Sequence, residues 1–525
     1  MANIIKQPCD EGVIRSKPCT APCSRNVGKW VLAATILGSS MAVIDGTVVN
    51  VALPVLQAQL NATVTDVQWI VESYALFLAA LILVGGSLGD RFGRRRIFAY
   101  GVALFALASV WCGVSPNVNQ LIIARAVQGI GGALLVPGSL AIISASFSGE
   151  QRGRAIGTWS GFTAITSALG PVLGGWLIEN ASWRWIFFLN VPLAVIVLGI
   201  VFWRVPESRD EANSGRLDWW GALLATLGLG ALVYGLIESS NLGLTHPLVL
   251  SCIVIGALML AAFIFVEASS HAPMMPLSLF KSRTFSGANL LTLMLYSALG
   301  GVLFFFPFNL IQVQGYSATA AGAAFLPFIL IMFLLSRWSG GLVSRYGAKL
   351  PLIIGPVIAA VGFALFGIPG INGSYWTTFF PAIAVLGVGM AVSVAPLTTT
   401  VMGAVKVSQA GIASGINNAV SRTAGLLAIA VLSIVVLNAF NRSLDQRLAT
   451  LGIPPEVQQM LAQERIKLAG AEVPAGLSAE VSATLKQVIA LSFVDSFRLV
   501  MSIAVVLALA SAIIALLMIK KQQKA

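Results

Sequence analysis

GSLGDRFGRR (residues 86–95) and GGLVSRYGAK (residues 340–349) carry Gly, Leu, Arg, an aromatic ring, Gly and a terminal cation at the same spacing. Each stretch joins two long apolar runs. The position of each copy among those runs decides the fold. The first lies between the second and third run, the second between the tenth and eleventh. The offset is eight runs, so a six-run unit has been repeated with two further runs inserted between the copies.

The runs are membrane spans by composition. The chain has 525 residues, 57% hydrophobic and 10% charged, with a mean hydropathy of +0.88. Soluble domains carry about 25% charged residues. This chain has too few polar groups to clothe a water-facing surface. Fourteen segments approach the ~20 residues that a spanning helix needs. They are apolar nearly all round, with no clean helical or strand period. The expected fold is an all-α integral membrane protein of two six-helix bundles related by an internal repeat, plus two inserted central helices. The boundaries read as a tail over 1–28, a first bundle over 29–204, a linker with helices 7 and 8 over 205–284, and a second bundle over 285–525. That second bundle includes an external loop over 439–491, in which two short helices are expected at the membrane surface, acting as a lid or connector.

Charge placement orients the spans. Lys and Arg crowd the N-terminal tail, the segment Arg91–Arg96, Arg152 and Arg154, Arg204 to Arg216, Lys281 and Arg283, then Arg337, Arg345 and Lys349, then Lys406 and the last residues. Those positions fall in every second loop. Basic loops stay cytoplasmic, so both termini are expected in the cytoplasm and the protein in the plasma (inner) membrane as a multi-pass chain. The net charge of +12 is therefore a topology signal rather than a nucleic-acid footprint. The tail has no signal-peptide pattern. Cys19 and Cys23 in it have no His nearby, so no metal site is expected, and nothing suggests disulfides.

Charged groups inside spans need a partner or a purpose. Asp45 lies mid-span in MAVIDGTVVNVALP (41–54), Glu72 in the outer third of helix 2, and Arg125 on helix 4. Arg stays charged, whereas a carboxylate can take a proton. Burial and a nearby Arg act on its proton affinity in opposite directions, which leaves room for titration near neutral pH. Asp45, Glu72 and Arg125 are the candidate proton-coupling residues. A static ion pair is the plainer alternative. Trp69, Tyr74, Phe162, Asn417 and Asn418 are candidates for a substrate cavity, with Trp159, Phe77 and Arg422 as further polar or aromatic groups nearby in sequence. Asp495 and Arg498, one turn apart, read as a surface pair.

GSLGDRFGRRR resembles the signature loop of the major facilitator superfamily, and RAVQGIGGA (125–133) is similar to its helix-4 motif. GTWSGFTAITSALGPVLGG (157–175) resembles the helix-5 motif of exporters, departing from it at Thr166. IDGTVVNVALP and WRWIFFLNVP (183–192) are similar to stretches of the fourteen-helix drug:proton antiporters. The resemblance spans nearly the whole chain. It implies a conformational latch at Gly86, Asp90, Arg91, Gly93 and Arg94. It also implies a stiff, close-packed helix 5 at Gly157, Gly170, Pro171, Gly174 and Gly175, where small residues permit close contact. The implied function is proton-coupled efflux of amphipathic small molecules by alternating access, with no cofactor beyond the proton gradient. Two carboxylates in the first half tilt the substrate towards cations. An uptake symporter of a small metabolite is the alternative. A membrane enzyme or channel is disfavoured by the repeat, by the absence of a G-x4-G-K-[ST] loop, and by a histidine count of two. Partners are the small-molecule substrate, protons and lipid. Periplasmic adaptor proteins are admitted without support from any residue.

Reporter tags fused to either terminus should register the cytoplasmic side, and a tag placed in 455–485 the external side. An external C-terminus would overturn the count of fourteen.

Overall fold

The computed structural model describes residues 25–147, 149–209, 218–270, 273–405, 409–451, 455–474 and 477–520. Cys19 and Cys23, Arg216, His271 and Lys406 lie outside them. Fourteen long helices account for most of the described chain. The first half contains α1 (Arg25–Gln59), α2 (Val64–Phe92), α3 (Arg94–Val114), α4 (Val118–Ser146), α5 (Gly149–Asn180) and α6 (Asn190–Arg204). Then come α7 (Trp219–Leu242) and α8 (Pro247–Ser269). The second half contains α9 (Arg283–Phe308), α10 (Leu326–Gly340), α11 (Lys349–Phe366), α12 (Phe379–Gly403), α13 (Ala410–Ala449) and α14 (Ala479–Met518).

Local chemistry sets many of the starts. The Thr63 and Asp66 side chains bond each other's backbone N–H in a capping box before α2. Asn117, Asp218, Ser282 and Ser478 cap α4, α7, α9 and α14. The repeated loop motif shows its purpose here. Gly93 sits at φ +109° between α2 and α3, and Gly347 at φ +76° before α11. These are the same motif position in the two copies, and only glycine takes such φ values without strain.

Packing repeats with the same offset. In the first half α1 packs on α5 and α6, α4 on α2 and α3, and α3 on α6. In the second half α9 packs on α13 and α14, α12 on α10 and α11, and α11 on α14. Every pair in one list becomes a pair in the other by adding eight. Backbone contact echoes it. A methyl group on Gly101 of α3 would lie 3.0 Å from the carbonyl oxygen of Gly131 in α4, and one on Gly131 would lie 3.1 Å from that of Gly101. Gly355 of α11 and Gly389 of α12 repeat the reciprocal approach at 3.0 and 2.9 Å. The inserted α7 touches α2 and α13, one helix from each half, while α8 packs mainly on α7.

The loop 439–491 differs from expectation. Only one short α-helix, Pro455–Glu464, is separate among the described residues. The first part of the loop continues α13, and the segment SAEVSATLKQVIALSF is the first turns of α14. No Gly or Pro interrupts 479–518. Extending a helix adds one bond per residue fixed, whereas a new helix must nucleate again. Leu485, Ile489 and Phe493 bury the extension.

The two halves meet firmly on the side that carries this loop. A methyl on Gly175 of α5 would lie 2.4 Å from the carbonyl oxygen of Ala318, and one on Gly322 would lie 2.1 Å from that of Pro171. Gln312 donates to Gln57 at 2.8 Å, and Lys467 reaches Asn61 at 2.8 Å. Residues 455–470 thus strap the ends of α1 and α9 together.

The glycine pairs yield a stability test. Gly131→Ala and Gly389→Ala force backbones apart, and overpacking costs ~1–3 kcal/mol. Each should lower the melting temperature of the purified protein by several degrees. Gly199→Ala meets nothing within 4 Å and should leave it unchanged. Equal melting of all three would show that the close approach is not limiting.

Candidate transport site

Asp45 and Arg125 meet in the middle of the first half. Asp45 Oδ2 accepts from Arg125 Nη1, and both side chains are sealed from solvent. Arg125 Nε donates to the carbonyl oxygen of Ile70 at 3.1 Å, and its Nη1 also donates to Gln128 Oε1 at 2.8 Å. The Tyr74 ring lies 4.2 Å from the guanidinium carbon. Asp45 Oδ1 accepts from Gln128 Nε2 at 2.8 Å and from Asn190 Nδ2 at 3.4 Å. Ser109 completes the cluster. It accepts from Gln128 at 3.2 Å and from Asn190 at 2.9 Å, and donates to the Phe187 carbonyl oxygen at 2.8 Å. Side chains of α1, α2, α3, α4 and α6 therefore converge on one buried ion pair. Removing one member of such a pair costs about 3–5 kcal/mol, because the other is left uncompensated.

Gln128, Asn190 and Ser109 were not singled out from the sequence. Gln128 is one turn from Arg125 within RAVQGIGGA, and Asn190 ends WRWIFFLN, so the motif stretches held the signal for two of the three.

A cavity of about 290 Å³ opens beside the pair, between the halves. Arg125 and Tyr74 form part of its wall, with Gly46, Asn50 and Val71 from the first half and Phe304, Ser421 and Arg422 from the second. Asp45 lies behind Arg125 and outside the wall.

Glu72 is placed apart from this cluster. It is fully buried, and neither carboxylate oxygen has a hydrogen-bond partner; Gln68, one turn away, is equally unpartnered. Glu72 shares its stripe of α2 with Leu76, which packs on Val233 and Ile237 of α7 and on Leu426 and Ala430 of α13.

The other cavity candidates divide. Tyr74 lines the cavity. Trp69 packs on α7 instead, donating to Glu238 at 3.3 Å with its ring 5.8 Å from Tyr234. Asn417 ties α13 to α9, donating to Asn289 at 3.1 Å and Thr292 at 2.7 Å. Asn418 is exposed and bonds its own helix at Ser414. Phe162 is exposed on α5 and outside the wall. Asp495 does pair with Arg498, one turn on, at 3.9 Å, and it also binds Arg447 at 2.8 Å, while Arg498 donates to the carbonyls after α11. These corrections share one cause. Helices apolar on all sides carry little record of which side faces which neighbour.

The charges of the loop motif pair within the first half. Asp90 pairs with Arg94 one turn on at 2.8 Å. Arg91 stacks on the adjacent Phe92. A methyl on Gly86 would meet Pro137 only at an ordinary 3.7 Å. The residue that organises the loop is Glu207, which follows α6. Its buried carboxylate accepts from the backbone N–H of Arg95 at 3.0 Å and of Arg96 at 3.3 Å. That places an anion on the N-terminus of α3, where free N–H groups and the helix dipole favour it. A methyl on Gly93 would lie 2.7 Å from this carboxylate, so the glycine serves the carboxylate as well as the turn. In α5, Gly170 and Gly174 abut Thr47 and Val48 of α1. Gly175 and Pro171 abut the second half, and Gly157 lies within the same helix.

Comparison with known proteins agrees with this geometry. Residues 35–429 match the family model described as Major Facilitator Superfamily. The chain is 34% identical over 436 residues to the multidrug resistance protein Stp of Mycobacterium tuberculosis, covering 83% of this chain and 80% of that one. It is 33% identical over 493 residues to the tetracenomycin C resistance and export protein of Streptomyces glaucescens, covering 92% and 90%. The methylenomycin A resistance protein of Bacillus subtilis is 33% identical, covering 78% and 88%. In fold the chain resembles a bacterial homolog of the human lysosomal transporter Spinster in an inward-facing conformation, with a TM-score of 0.68 at 17% identity, covering 95% and 99%. It also resembles the inward-open xylose transporter XylE of E. coli, with a TM-score of 0.56 at 15% identity, covering 95% and 97%. The chain belongs to the major facilitator superfamily.

Proposed function

We propose that this protein exports amphipathic, antibiotic-like small molecules in exchange for protons. The observation that carries this reading is the Asp45–Arg125 pair, with Arg125 in the wall of the cavity between the halves and Asp45 directly behind it. Protonating Asp45 removes the charge that holds Arg125, and so changes the cavity wall without a proton ever entering the cavity. Ligand and proton can then act on one guanidinium from opposite sides. The resistance and export proteins of similar sequence support export over uptake.

Alternating access follows from the packing. The halves are joined on the side of residues 439–491, so the cavity in this conformation is served from the basic-loop side. We assign that side to the cytoplasm of a plasma (inner) membrane, with both termini there, because basic loops are retained inside. Proton flow down its gradient then drives the return, and no cofactor is required. The Glu207 anchor of α3 and the Asp90–Arg94 pair keep the first half rigid as it rocks. Glu72 offers a second protonatable site, set between α2, α7 and α13.

The test is transport by proteoliposomes holding the purified protein. Asp45→Asn should reduce pH-gradient-driven accumulation at least tenfold while keeping ligand exchange at zero gradient, since exchange needs no proton step. Asp45→Glu should restore part of the driven transport. Full driven transport by Asp45→Asn would remove Asp45 from the coupling role. Loss of exchange as well as driven transport, with the protein still folded, would make the pair a part of the ligand site instead.

A further inference from the structure

The cavity wall holds donors that nothing satisfies. Arg422 of α13 donates no hydrogen bond and joins no ion pair among the described residues, and its Nε is sealed from solvent. Tyr74 is in the same wall, but its hydroxyl is sealed from solvent without a partner, on the side of Gly132 in α4. Arg125 supplies a second guanidinium, already balanced by Asp45. No Asp or Glu is in the wall among the described residues. Asp45 has both oxygens engaged from behind, and Glu72 pairs with nothing.

A buried, unpaired guanidinium is unfavourable, and it is stable in a wall only if its site is completed by an acceptor. Organic cations meet the opposite situation. They find one uncompensated positive charge, no carboxylate, and a cavity of about 290 Å³ in which like charges cannot stand far apart. Two carboxylates in the sequence suggest a cation site, but both lie outside the wall.

We infer that the cavity recognises its ligand through an anionic or strongly polarised oxygen acceptor (a carboxylate, a phenolate or a quinone-type carbonyl), held by Arg422, and discriminates against organic cations. Arg422 is the specificity-determining residue. Its charge-assisted hydrogen bonds are the strong ones, and none of them is spent on another helix among the described residues. This deepens the reading of the cavity as the transport site. Binding is measured with no proton gradient, so a failure of proton coupling would leave the inference standing.

The experiment uses two dyes on one xanthene scaffold, anionic fluorescein and cationic rhodamine 123. Their binding to the detergent-purified full chain is followed by fluorescence anisotropy at pH 7.5. Fluorescein should bind the wild type at least tenfold more tightly than rhodamine 123. Arg422→Gln should bring the two within about threefold, chiefly by weakening fluorescein. Arg422→Glu should reverse the order. Circular dichroism and gel filtration establish that each variant is folded. Rhodamine 123 binding the wild type as tightly as fluorescein would overturn the inference. So would an undetectable fluorescein complex, or an Arg422→Gln variant that loses both dyes alike.

Discussion

The Asp45–Arg125 pair is the constraint around which the first half is built. Sealing the Arg125 guanidinium inside a membrane bundle is costly without a counter-charge and acceptors for its remaining N–H groups. Asp45 supplies the charge, while Gln128 and the Ile70 carbonyl supply acceptors. Ser109 and Asn190 in turn fix Gln128 and Asp45. The requirement draws in five of the six helices. It also explains the small residues that follow Arg125 in α4, because side chains can bond across helices only where the backbones come close. The reciprocal contact of Gly101 and Gly131 is one such place.

The second half repeats the scaffold without repeating the charge. The glycine contact recurs at Gly355 and Gly389, and the helix pairs recur with an offset of eight. The interior differs. At the heart of the second half lie apolar rings such as Phe306, which meets Phe325, Phe366 and Phe379. Its polar links are neutral, as in Asn417 with Asn289 and Thr292. In the proposed cycle the protonatable groups therefore belong to one half alone. The other half contributes Arg422 and an apolar surface for it to move against.

The inserted helices add a contact the repeat does not contain. By lying on both α2 and α13, α7 covers the stripe that holds Gln68 and Glu72. A six-plus-six arrangement would leave that stripe to lipid or water. Here it is closed off, with unsatisfied polar atoms inside. Contact with one helix from each half also means that relative motion of the halves must shear against α7. The strap at 455–470 ties the opposite end of the molecule, joining α1 to α9 through Gln57 and Gln312.

Composition alone determined that the chain lives in a membrane, and the spacing of apolar runs determined fourteen helices. The loop motif at 86–95 and 340–349 determined the offset of the repeat, because a positive-φ glycine is needed at the same turn in each copy. The in-span positions of Asp45, Glu72 and Arg125 marked them as groups that need a partner or a purpose, but not which of them would meet. These are properties of local sequence and of transfer to lipid, and both can be read along one chain. Only the tertiary structure decided the rotation of each helix about its axis. Lipid and protein interior are almost equally apolar, so a span buried on one side and lipid-facing on the other shows no hydrophobic stripe. That rotation put Trp69 on α7, Asn417 on α9, Glu72 in a dry junction and Arg422 in the cavity wall. It also turned the head of α14 into a continuous helix, where the chain offered no break and the second half offered a surface to bury it.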